Sequence, residues 1–90
     1  IDHRGVPNIM AYFERRGYSV KAPTGKAIFL PGDVVTWDLG RGLRHIGIVT
    51  ERKNWLGRTL VIHNIGRGAQ EEDILNSWPI LGHYRVPPRV

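Results

Sequence analysis

Three segments rich in β-branched and aromatic residues, DVVTWDL, HIGIVT and TLVIHN, follow one another between Asp33 and Asn64, separated only by the glycine-bearing GRGLR and the polar ERKNWLGR. Side chains of this kind suit a pleated, half-buried surface, and Pro31 with Gly32 supplies a turn ahead of the first segment. The spacing predicts strands over about 33–38, 45–50 and 59–64. GHYRV adds a last strand over about 82–86, before Pro87 and Pro88 end regular structure.

Upstream, VPNIMAYFERRG reads as an amphipathic helix over about 7–16. Pro7 suits a first helical turn, Ile9, Met10, Tyr12 and Phe13 form an apolar stripe, and Gly17 suits the C-terminal cap. Asp2 or Asn8 is available to cap the start. APTGKA and IGRGAQEED read as loops, and ILNSW as one helical turn. The fold expected is therefore α+β: one N-terminal helix, then a small, curved antiparallel sheet or half-open barrel of four to five strands, in a single domain spanning residues 1–90.

Ninety residues fit one small domain with a marginal core. The apolar runs are far shorter than the roughly 20 residues a membrane-spanning helix needs, and no signal peptide is read at Ile1. The net charge of +5 invites a nucleic-acid reading, but the thirteen Lys and Arg are scattered from Arg4 to Arg89, so a solvated basic surface is favoured over nucleic-acid binding. The chain has no cysteine, which excludes disulfides, thiolate metal sites and a cysteine nucleophile within these residues. No cofactor is implied.

Two histidines head and close neighbouring strands. Because side chains alternate across a strand, any antiparallel register in which paired residue numbers add to an even sum puts His45 and His63 on one face. A sum of 108 sets them directly opposite each other. Gly47 then faces Val61 and leaves open space beside the imidazoles for a substrate or another segment.

Such a pair has two readings. Each histidine is a strand-end residue with a satisfied hydrogen bond, or one imidazole is a general base and the other orients it. In the second reading His45 is the base and His63 the orienter, with Asp38, Asn64 and Trp37 as supporting or binding neighbours. Asp38 is also placed to hold His45 or Arg44. A metal site of His45, His63 and Asp38 has no ligand pair at zinc-like spacing behind it, and none is expected.

Taken together, PGDVVTWDLGRGLRHIGIVT, VIHNIGRGAQEEDIL and GHYRV resemble the YijF-like family of bacterial domains of unknown function. That family is similar to the NlpC-type papain-like cell-wall hydrolases, whose C-terminal half runs from a proline-glycine-aspartate turn into a strand, then a histidine strand, then a polar-residue strand. The resemblance implies that His45 is the general base and His63 the third, orienting residue, with Asp33 serving the turn. It implies hydrolysis of an amide bond, in peptidoglycan peptides, in the cell envelope or periplasm.

It also implies a cysteine on an upstream helix, which has no counterpart here. These ninety residues would then be the β half of such an enzyme, inactive alone, with the cysteine-bearing segment supplied from upstream or by a second chain. The competing reading is a non-catalytic module that binds wall glycan or peptide through Trp37, Trp55 and Tyr84.

An uncovered sheet face follows from the missing helix, and large bare apolar patches are rarely left on a soluble monomer. The isolated chain is therefore expected to self-associate or to bind a complementary segment. Sedimentation at high concentration checks this, and a clean monomer would count against it.

Overall fold

A computed structural model describes residues 3–22, 27–64 and 66–88 of the chain. A single 3-10 turn, His3–Gly5, leads into helix α1, Val6–Arg15. Five strands follow: β1 Val34–Gly40, β2 Leu43–Lys53, β3 Thr59–Asn64, β4 Ala69–Glu72 and β5 Ile80–Tyr84. They form one antiparallel sheet in the order β4-β3-β2-β1-β5. The α+β architecture of one helix and an open antiparallel sheet is the one expected.

Helix α1 starts with Pro7 in its first turn, where its missing N–H costs nothing. Neither expected cap applies. Gly5 holds the N-cap position with no side-chain bond, Asn8 lies inside the helix, and Asp2 is outside the described residues. The end is better built. Gly17 takes a positive φ of 74°, its N–H bonds to the Glu14 carbonyl, and the Tyr18 N–H bonds to the Phe13 carbonyl. The Phe13 and Tyr18 rings meet at 5.9 Å, completing a Schellman cap with its hydrophobic contact.

Strands β1 and β2 turn through Arg41 and Gly42, both at positive φ, in the two-residue hairpin geometry that matches strand twist. The segment read as a loop before Asp73 contains β4, whose four residues pair along β3. Its sequence AQEE is exposed on an edge and carries no β-branched residue, so tertiary pairing overrides its weak propensity. The ILNSW segment forms turns and no helix. On the opposite edge, Tyr18 and Val20 exchange backbone bonds with Arg85 and His83, covering β5.

The two faces of the sheet differ. On one, Val35, Trp37, Val49 and Val61 form the core, with Phe29, Ile74, Leu75 and Trp78 packed over them. On the other, α1 lies across one side, burying Val6 and setting Phe13 against Tyr84 at 5.2 Å. Beside the helix an apolar groove of about 360 Å³ stays open between Ile9, Phe13, Ile46, Ile48 and Ile62. Tyr84 folds back over Gly82, whose missing side chain makes room for the phenol.

The register of β2 on β3 is an even one, but not the one that sets the histidines directly opposite. Gly47 faces His63 and Val49 faces Val61, a sum of 110, so the two histidines are diagonal and not opposed. The reason lies in the core: this register pairs two valines, whereas the other would set Thr59 against Val49. Nor is the space at Gly47 open. A Cβ there would lie 2.6 Å from Val61 Cγ1, 3.0 Å from the Ile62 carbonyl and 3.1 Å from Trp37.

Gly47→Ala is therefore expected to destabilise the fold by about 1–3 kcal/mol through overpacking, because a backbone carbonyl is among the atoms that must move. Urea unfolding of the variant checks this, and a wild-type midpoint would refute the close packing.

Candidate active site

Residues of three neighbouring strands converge on the core face of the sheet. His45 enters from β2, His63 from β3 and Glu72 from β4. Each step is a diagonal: His63 faces Gly47, two residues from His45, and also faces Gln70, two residues from Glu72. Side chains two apart share a face, so the β2–β3 register, with a sum of 110, and the β3–β4 register, with a sum of 133, together bring all three to one place.

His45 Nε2 lies 2.8 Å from His63 Nδ1, and His63 Nε2 lies 2.8 Å from Glu72 Oε1. The two imidazoles meet nearly perpendicular, at 87°. His45 is 0% exposed and His63 3%, whereas 46% of the Glu72 side chain is exposed. The row thus runs from a sealed interior to the surface.

Two indoles enclose His45. The Trp37 ring lies 5.8 Å from it and the Trp78 ring 5.7 Å, the latter edge-on at 73°. Trp37 Nε1–H donates to the Leu75 carbonyl at 3.0 Å, which ties the 74–78 turn down over the imidazole. Aromatic contacts of this geometry each contribute on the order of 1 kcal/mol beyond area burial.

Of the expected neighbours, only Trp37 joins the pair. Asp38 accepts from the Gly40 N–H at 2.8 Å and serves the β1–β2 turn, on the face opposite Trp37. Asn64 likewise accepts from the Gly66 N–H at 3.0 Å. Neither holds His45 or His63, because each is one residue out of phase with the face that carries them. Among the described residues no group of three His, Cys, Asp or Glu side chains is arranged to hold a metal ion.

The sequence reading missed Glu72 and Trp78, both inside segments taken for loop or helix. The binding-module aromatics also sort differently: Trp37 and Tyr84 are buried, while Trp55 at the β2–β3 tip is 90% exposed.

Residues 1–86 match the description "Domain of unknown function (DUF1287)". The chain belongs to the DUF1287 family. It is 47% identical over 85 residues to the uncharacterized protein YijF of Escherichia coli strain K12. That alignment takes in 94% of this chain but 42% of YijF, so the chain spans less than half the length of its relative. No solved structure matches the chain. No described helix is long and apolar enough to cross a membrane.

A second polar cluster of this DUF1287 chain lies at the other end of β1. Asp33, expected only to serve the turn, is 1% exposed. It accepts from the Leu30 N–H at 3.0 Å, which closes the turn, and takes a bidentate pair from Arg85 at 2.9 and 2.8 Å. His83 Nε2 completes the set at 2.6 Å, with its ring stacked 4.2 Å from Phe29. Burial pushes the Asp33 carboxyl up, but the bonds from Arg85, the Leu30 N–H and His83 outweigh it and hold the group below its ordinary value. The cluster staples the segment before β1 to the end of β5.

A carboxylate whose pKa is depressed on folding adds stability above its unfolded pKa of about 3.9 and loses it as pH falls through the lower folded value. Asp33→Asn should therefore cost about 2 kcal/mol at pH 7, with the gap to wild type narrowing below about pH 4. Urea titrations at pH 7 and pH 3 check both signs, and an equal gap at the two pH values would contradict the account.

Proposed function

We propose that this chain is the histidine-bearing part of a cysteine hydrolase that cleaves amide bonds. The observation that carries the reading is the 2.8 Å bond between His45 and His63, two imidazoles brought together on the core face from separate strands. A base needs a second group to hold its ring, and His63 fills that position for His45.

The nucleophile comes from outside these ninety residues, which hold no cysteine. Since the chain covers 42% of YijF, a cysteine-bearing segment in the remainder of such a protein is the natural partner. With His45 wholly buried, the thiol reaches it from within the fold and not from solvent. A cysteine at the N-terminus of a helix packed on the sheet meets that condition, and the helix dipole there favours the thiolate.

In the reaction His45 takes the thiol proton and the thiolate attacks the amide carbonyl. The same imidazole then protonates the leaving amine, and water hydrolyses the acyl-enzyme. Peptidoglycan peptide is the substrate that the resemblance to NlpC-type hydrolases supplies, and the cell envelope or periplasm is the corresponding location.

Full-length YijF, incubated with peptidoglycan, is expected to release new amino termini. Replacing its residue aligned with His45 by Ala should lower the rate by about 10²–10⁴-fold. A YijF without cysteine, or activity indifferent to thiol alkylation, would overturn the hydrolase reading. Retention on the wall without hydrolysis would move the function to a binding module that uses Trp55.

A further inference from the structure

We propose that Glu72 is a positioning residue that sets the proton pattern of the buried histidine pair. An ionised carboxylate only accepts hydrogen bonds, so the 2.8 Å contact between Glu72 Oε1 and His63 Nε2 requires the hydrogen to sit on Nε2. A neutral imidazole carries one hydrogen, so His63 Nδ1 is then an acceptor. Its 2.8 Å partner, His45 Nε2, must be the donor.

Each histidine is thereby held in the Nε2–H form, and the nitrogen left without hydrogen on His45 is Nδ1. Glu72 decides this through His63, without touching His45. Its counterpart is the carboxylate that fixes the tautomer of a catalytic histidine in a hydrolase triad. The catalytic use of the pattern rests on the hydrolase reading, whereas the pattern itself does not.

Glu72 also suits a test. It is on edge strand β4 with its side chain half exposed, so truncation there opens no core cavity. His63 offers no such separation, because its replacement removes a ring from the interior.

Histidine ¹⁵N shifts of the ninety-residue chain at pH 8 report which ring nitrogens carry hydrogen. The wild-type chain should show Nε2–H and bare Nδ1 on both His45 and His63. In Glu72→Ala the His63 signals should move towards a mixture of the two tautomers, and those of His45 should follow. Glu72→Gln, whose amide oxygen still accepts from Nε2–H, should restore the wild-type pattern.

Hydrogen on His63 Nδ1 in the wild-type chain, in either the other tautomer or the imidazolium, would overturn the proposal, as would a pattern unchanged in Glu72→Ala. If Glu72→Ala does not fold, the wild-type pattern still decides. Finding the expected pattern in a chain whose full-length relative hydrolyses nothing would support the role of Glu72 and sink the hydrolase reading alone.

Discussion

The pairing of Val49 with Val61 is the contact on which the rest of the molecule turns. Side chains repeat every two residues along a strand, so this match sets which side chains face the core over the whole of β2 and β3. It sends Val49, Val61, His45 and His63 inward together, and Ile48 and Ile62 outward. A slip of β3 by one residue would expose Val61 and His63 and bury Ile62 and Asn64 instead, parting the two histidines. The histidines are thus locked to the core by neighbours that have no chemistry of their own.

Holding two imidazoles in a small core is costly unless their nitrogens are satisfied, since a buried polar group without a partner costs about 1–3 kcal/mol. The row from His45 through His63 to Glu72 meets that demand for His45 Nε2 and for both nitrogens of His63, by carrying the hydrogen bonds out to the surface. The Asp33 cluster solves a similar problem differently. There a buried carboxylate is surrounded by Arg85, His83 and a backbone N–H, and the Arg85 end reaches solvent. In a chain whose core is this small, both arrangements tie distant segments together, residue 33 to residue 85 and residue 45 to residue 72. Charged hydrogen bonds here do part of the work that a larger apolar interior does elsewhere.

The sheet is finished on one face and open on the other. Trp78, Leu75 and Ile74 close the histidine face, while α1 covers only part of the reverse and leaves Ile46, Ile48 and Ile62 along a groove.

The amino-acid sequence by itself determined the helix and the hairpin strands, and the condition under which two histidines share one face. Each of these is local: periodicity 3.6 or 2, a proline at a helix start, glycines at turns, and a parity rule that holds for any even register. Only the tertiary structure chose the register, its parity included, because that choice depends on which side chains fill the core best, and alternation is blind to it. For the same reason the turn bonds of Asp38 and Asn64 did not show in the sequence, since each is adjacent to a site residue in the chain but points to the opposite face. Glu72, Trp78 and the His83–Asp33–Arg85 cluster were invisible beforehand. Their partners lie between 9 and 52 positions away along the chain, and such contacts are decided by strand order and packing, which no short window of residues encodes.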